Sequence, residues 1–184
     1  MSKGVAAWGP TVFAHCSRTG GSSVGQALAT SELPYRKLEG NLALNLKYCP
    51  VPWETYRLIT VVRHPLERLV SLVAKIVKFK DDQLPPSMFE RFVRDGFRRP
   101  NGTVPTVHTD GPNCWDMGAP ICDCLRGYQP EVYRFETLGT TFPLPLPHWG
   151  ASRHLPWQDY YQDGMIRDAV VTRYAEDLRI YGYE

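Results

Sequence analysis

The feature that most limits how this chain can fold is a short apolar run that ends in a cluster of small residues and restarts as a helix. TVFAH (11–15) reads as a buried strand, SRTGGSS (17–23) as a tight turn and VGQALATS (24–31) as a helix. Ser22 or Ser23 is placed to cap that helix, and Ser31 and Pro34 to end it. A strand that passes through a glycine turn into a helix is the opening of an α/β unit.

The rest of the sequence repeats the alternation. PYRKLEG (34–40) and RLITVV (57–62) read as strands, and His64-Pro65 turns the chain. Residues 66–79 carry apolar positions at helical spacing, and 87–97 form a short amphipathic helix ending at Gly96. EVYRF (131–135) is a further strand. Residues 159–184 form a final helix with Ile166, Val170, Tyr174 and Leu178 on one stripe. Residues 98–120, rich in Gly, Pro and Asn, read as a long surface loop, and 137–156 as mostly irregular. Alternating strands and helices predict an α/β fold with a mostly parallel central sheet flanked by helices. With 184 residues and no break in composition, the expectation is a single domain over 1–184.

Composition removes several classes of function. A hydrophobic fraction of 43% is that of a globular chain, not a disordered one. A net charge of +2 argues against a dedicated nucleic-acid binder. The most apolar stretch, 58–77, contains Arg63, His64, Glu67, Arg68 and Lys75, so no membrane span is expected in this chain. The first residues lack a basic start followed by an apolar core, so no signal peptide is expected. Five cysteines leave at least one thiol unpaired within the chain. A reduced, cytoplasmic protein is the simpler reading. An excised lumenal domain of a longer protein is the other.

Two segments carry chemistry. In FAHCSRTGGSS (13–23), Gly20 and Gly21 let backbone approach a ligand, and the N–H groups of the following helix start attract negative charge. Thr19, Ser22 and Ser23 add hydroxyl donors and Arg18 a charged fork, a set that fits a phosphate or sulfate. The plainer reading is a tight turn that holds an Arg. The Walker A pattern is missing, because no Lys precedes Ser22 and the first Gly is out of place, which disfavours a kinase or NTPase. In VVRHPLERLVS (61–71), Arg63 sits at the carboxyl end of a strand, where open α/β sheets bind ligands, and Ser71 lies on the next helix. Arg63 and Ser71 can therefore close on one anion. The plainer reading pairs Arg63 with Glu67.

Together the two segments resemble those of sulfotransferases that use 3′-phosphoadenosine 5′-phosphosulfate (PAPS). FAHCSRTGGSS is similar to the family's 5′-phosphosulfate loop, HxPKTGGTS, and VVRHPLERLVS to its 3′-phosphate segment, RDPxERxxS. VYRFETL (132–138) resembles a later RYEDL-like strand, and LPHWGAS (146–152) and YAEDLRIYGYE (174–184) resemble the end of the carbohydrate-type branch. The resemblance implies a P-loop-like three-layer fold. It also implies transfer of a sulfuryl group from PAPS to an acceptor hydroxyl, leaving 3′-phosphoadenosine 5′-phosphate (PAP). Arg18, Thr19, Gly20, Gly21, Ser22 and Ser23 would hold the 5′-phosphosulfate, and Arg63 and Ser71 the 3′-phosphate.

The chain departs from the pattern in places. Ser17-Arg18 replaces the usual Pro-Lys, as Arg does in the tyrosylprotein branch, and His64 replaces the usual Asp. By the same resemblance Arg18 would stabilise the oxygen between phosphate and sulfate. Glu39, which follows Arg18 at a spacing similar to that branch, would be the catalytic base. Its plainer role is an ion pair with Lys37 or Arg36. His15 is the second candidate base, or else a structural hydrogen bonder. Where some relatives place a His, this chain has Asn41. His108 resembles a loop His near the cofactor or acceptor.

Cys114, Cys122 and Cys124 crowd one loop downstream of His108, but without paired CxxC knuckles, so no metal site is expected. A disulfide from Cys114 to Cys122 or Cys124 is open in an oxidising compartment. Asn101-Gly102-Thr103 is a glycosylation sequon, meaningful only in a secretory pathway. Trp115, Trp149 and Trp157 are core anchors or stacking surfaces for a sugar or adenine. The rival to a sulfotransferase is a non-catalytic module that binds 3′-phosphoadenosine nucleotides.

Overall fold

The computed structural model describes residues 9–39, 42–47, 52–76, 83–99, 101–107, 115–147 and 153–183. Its sheet has four strands, all parallel: β1 (Thr11–His15), β2 (Tyr35–Glu39), β3 (Arg57–Val62) and β6 (Glu131–Arg134). Their spatial order is β2-β1-β3-β6. All four strand readings fall on these elements. β1 and β3 are buried along nearly their whole length, as expected of parallel strands covered on both faces.

Alternation along β1 and β3 separates two layers. Phe13, Ile59 and Val61 pack with Val24, Ala27 and Leu28 of α1 (Gly21–Thr30) on one face. Val12, Ala14 and Val62 pack on the other face with Leu42 and Leu46 of α2 (Leu42–Lys47) and Ile121 and Cys124 of α5 (Ile121–Cys124). A further apolar cluster joins α3 (Pro65–Ile76), α4 (Pro86–Arg94), α7 (Gly164–Arg173) and α8 (Ala175–Tyr181). This is an α/β fold with a parallel central sheet between helices.

Local details differ from expectation. The first helix begins at Gly21, with left-handed Gly20 (φ 85°) in the capping position and no side-chain cap, so neither Ser22 nor Ser23 caps it. The expected C-terminal helix is two helices, because Tyr174 leaves helical geometry at φ −110°, ψ 17°. Its start is set by Asp163, whose side chain accepts from Met165 N. The anticipated stripe is nevertheless buried: Ile166, Val170, Tyr174 and Leu178 all face the core. Within the expected surface loop, β4 (Thr106–Val107) and β5 (Trp115–Asp116) form an antiparallel pair. The residues after β5 turn inward, with Ala119 buried.

Arg68 explains that inward turn. It is 2% exposed, and its guanidinium donates to Ser17 O (3.4 Å), Met117 O (3.4 Å) and Ala119 O (2.5 Å). One buried side chain thus stitches the turn after β1 to the segment that enters α5. Asp177 of α8 completes the junction. Its carboxylate is fully buried and accepts from Ile121 N (2.7 Å) and Cys122 N (2.8 Å). Backbone donors that α5 leaves unsatisfied are met by that carboxylate.

Candidate functional site

The strand order reverses beside β1: β2 lies on one side, β3 on the other. Open α/β sheets bind ligands at the carboxyl ends of strands at such a switch point. The turn after β1 and the turn after β3 both emerge there, and they carry the two segments singled out from sequence.

The first turn is tightly built. Arg18 has a left-handed backbone (φ 66°), rare for a side-chain-bearing residue. Gly20 is left-handed too, and a Cβ there would come within 2.9 Å of the Phe135 ring. A Cβ on Gly21 would lie 1.9 Å from His15 Cδ2 and 2.0 Å from Nε2, so the imidazole rests against the start of α1 and only glycine fits beneath it. The Thr19 hydroxyl is fully buried and donates to Cys16 O at 2.7 Å, so it braces the turn from inside. Ser22 is exposed and Ser23 half-buried on the first turn of α1.

The second segment meets the first. Arg18 Nε donates to Ser71 Oγ at 3.1 Å, and Arg63 Nη1 donates to Arg18 O at 3.3 Å. Arg63 is 8% exposed, lies 4.2 Å over the Phe135 ring and donates to Glu67 Oε1 at 2.8 Å. The plainer pairing with Glu67 therefore exists alongside the contact with the loop. Arg63 Nε is buried and has no hydrogen-bond partner. The Arg18 guanidinium is held below its ordinary value by burial and by the neighbouring Arg63 charge. Two cations that close favour an anion between or beside them.

Glu39, at the end of β2, pairs in register with His15 at the end of β1. His15 Nδ1 lies 3.2 Å from Glu39 Oε1, and Lys37 Nζ lies 2.7 Å from the same oxygen. A carboxylate can only accept, so Nδ1 carries the proton and Nε2 is the nitrogen turned toward Gly21. The hydrogen bond from His15, with Lys37 beside it, holds Glu39 down at about 2. His15 itself is pushed below its ordinary 6.5, because burial outweighs the carboxylate. The two candidate bases are thus one hydrogen-bonded pair, which the sequence spacing of 24 residues did not reveal.

Two further site residues went unnoticed in the sequence. Phe135 packs against both Gly20 and Arg63 and so joins the two turns. Glu136 Oε1 accepts from His64 N at 2.7 Å and fixes the turn after β3. His64 stacks on Trp157 with ring centroids 4.7 Å apart, and burial lowers its proton affinity. Asn41, His108, Cys114 and Trp149 lie outside the described residues. Among the described residues no group of three or more His, Cys, Asp or Glu is arranged to hold a metal, and no helix is long and apolar enough to cross a membrane.

No protein-family model, curated protein or solved structure matches this chain. The functional reading therefore rests on the geometry of the site and on the motif resemblance.

Proposed function

We propose that this chain is a PAPS-dependent sulfotransferase, which moves a sulfuryl group to a hydroxyl of a carbohydrate, protein tyrosine or small molecule by in-line displacement. The observation that carries the reading is the meeting of Arg18, Arg63 and Ser71 at the switch point. They come from two distant segments that the resemblance assigns to opposite ends of one nucleotide. The fit to that nucleotide is supported by the partnerless, buried Arg63 Nε and by the adjacent guanidinium groups of Arg18 and Arg63.

Backbone N–H groups around Gly20 and Gly21, with the Ser22 and Ser23 hydroxyls, would hold the 5′ end. Thr19 would contribute through its backbone, since its hydroxyl is engaged by Cys16 O. Arg63 and Ser71 would hold the 3′-phosphate. When bound, PAPS supplies an activated sulfuryl group on a phosphate leaving group. Arg18 would place its charge where negative charge gathers on the bridging oxygen, the largest kind of contribution in such transfers. The His15–Glu39 pair would take the acceptor proton. Glu39 at about 2 is a weak base alone, so it orients the imidazole and stabilises its charge, while His15 Nε2 receives the proton.

The second reading is a non-catalytic module that binds 3′-phosphoadenosine nucleotides. It is favoured by the engagement of Glu39 with Lys37, which leaves that carboxylate in a stable ion pair. Calorimetric titration with PAP, without Mg²⁺, tests both readings at once. Binding that is lost in Arg63→Ala supports the cradle, and absence of binding to the wild type overturns both. A screen of acceptors with PAPS, comparing wild type with His15→Ala and Glu39→Ala, then separates enzyme from binding module.

A further inference from the structure

Asn101-Gly102-Thr103 sits on the turn between α4 and β4, and all three residues are exposed. The chain reverses there: Gly102 N donates to Arg99 O at 2.8 Å, and Arg99 N donates to Thr103 O at 2.8 Å. The Arg98 guanidinium adds a bond to Gly102 O at 2.9 Å. Gly102 is left-handed (φ 78°), and a Cβ built on it would meet nothing within 4 Å, so the tip of the turn is open. Within the turn, Asn101 Oδ1 accepts from Thr103 N at 3.1 Å and from the Thr103 hydroxyl at 2.7 Å. A backbone N–H can only donate, so the amide atom turned toward Thr103 is the oxygen. The amide nitrogen, Nδ2, has no hydrogen-bond partner among the described residues. Val104 is half-buried and Pro105 buried, so the exposed tip stands on a packed base. Of the four asparagines in the chain, Asn41, Asn45 and Asn113 are followed two residues on by Ala43, Lys47 and Trp115, and only Asn101 by a hydroxyl residue.

We propose that Asn101 accepts an N-linked oligosaccharide when the chain passes through a secretory lumen. Such transfer needs an asparagine amide with a hydroxyl two residues on, both exposed to a bulky transferase. The turn offers that pair already in contact, leaves Nδ2 unengaged and has open space at its tip. In the balanced step, Nδ2 bonds to the anomeric carbon of an oligosaccharide carried on a polyprenyl pyrophosphate. The bond from that carbon to the pyrophosphate oxygen breaks, with its electron pair left on the oxygen. Nδ2 gives up one proton to a base of the transferase, and nothing is oxidised or reduced. Modification here fits the lumenal reading of the compartment rather than the cytoplasmic one. It involves neither Arg18 nor Arg63, so it stands or falls separately from the nucleotide reading.

The test is to join a cleavable secretory signal to the full chain, express it in eukaryotic cells and recover it from the lumen or the medium. The expected result is a slower electrophoretic band that collapses to the unmodified mobility with peptide-N-glycosidase. Release in heavy-oxygen water should mark Asn101 as a labelled Asp by mass spectrometry, which separates enzymatic release from spontaneous deamidation of the Asn-Gly bond. Asn101→Gln and Thr103→Ala should each lose the slower band, and Thr103→Ser should keep it. Recovery of wild-type chain with Asn101 unmodified overturns the proposal, as does a slower band that persists in Asn101→Gln. The mapping on wild type stands even where a variant folds poorly. It needs no nucleotide, so a failure here leaves the sulfotransferase reading to its own titration.

Discussion

Arg18 Nε donates to Ser71 Oγ at 3.1 Å, a bond between residues 53 positions apart. It joins the turn after β1 to the second turn of α3, and Arg63 closes the triangle by donating to Arg18 O. In the proposed reading each turn supplies one end of the anion cradle. The parallel pairing of β1 with β3 brings them side by side.

Binding of PAP should therefore respond to the two segments unequally. Removing the Arg63 charge should weaken affinity by about 10- to 100-fold, the range for charged hydrogen bonds of about 1.5–3 kcal/mol. Ser71→Ala should cost a neutral bond, about 1 kcal/mol or roughly fivefold. Calorimetry on both variants checks the order. A Ser71 effect larger than the Arg63 effect would contradict the roles assigned here.

Gly21→Ala should destabilise the fold, because the new methyl meets His15 Cδ2 and Nε2 at about 2 Å. Overpacking of this kind costs about 1–3 kcal/mol. His15→Ala in the same chain should return part of the loss, since it removes the atoms the methyl strikes. Urea unfolding of the two single variants and the double variant measures the coupling. Strict additivity would mean that the imidazole does not rest on the helix start.

Acid should weaken this fold in two adjoining steps. His15 is depressed from 6.5 on folding, so the unfolded chain binds its proton first, and stability drops as pH falls below 6.5. Glu39 is depressed from 4.5 to about 2, so the stability it gives is present above 4.5 and is lost as pH falls toward 2. Glu39→Gln should abolish the lower step and keep the upper one. Denaturant midpoints followed across that range test the assignment, and an unchanged lower step would refute it.

Asp177→Asn should lower stability by about 1–3 kcal/mol, the cost of leaving a buried donor unsatisfied. The carboxylate takes two backbone N–H groups of α5, and an amide offers one acceptor oxygen. Thermal or urea unfolding reads the loss directly. A change below about 1 kcal/mol would show that α5 is held by other means.

Much of this was legible in the residues themselves. TVFAH and RLITVV became β1 and β3 with the expected bounds, because a doubly covered parallel strand needs an uninterrupted apolar run. The stripe Ile166, Val170, Tyr174 and Leu178 was visible because helical spacing is a local property that survives the break at Tyr174. Arg18, Gly20, Gly21, Arg63 and Ser71 could be singled out by residue type and spacing, and the two segments that carry them meet at one sheet edge. What no local pattern carries is the pairing of segments. That His15 binds Glu39 and that Phe135 joins Gly20 to Arg63 depend on strand order, and Arg68 fastens residues 117–119 to the turn after β1. Sequence determined the main strands and helices and which face of each is apolar, through short-range sterics and burial. Tertiary structure alone decided which polar groups share a site, because those contacts are set by long-range packing and the need to satisfy buried charge.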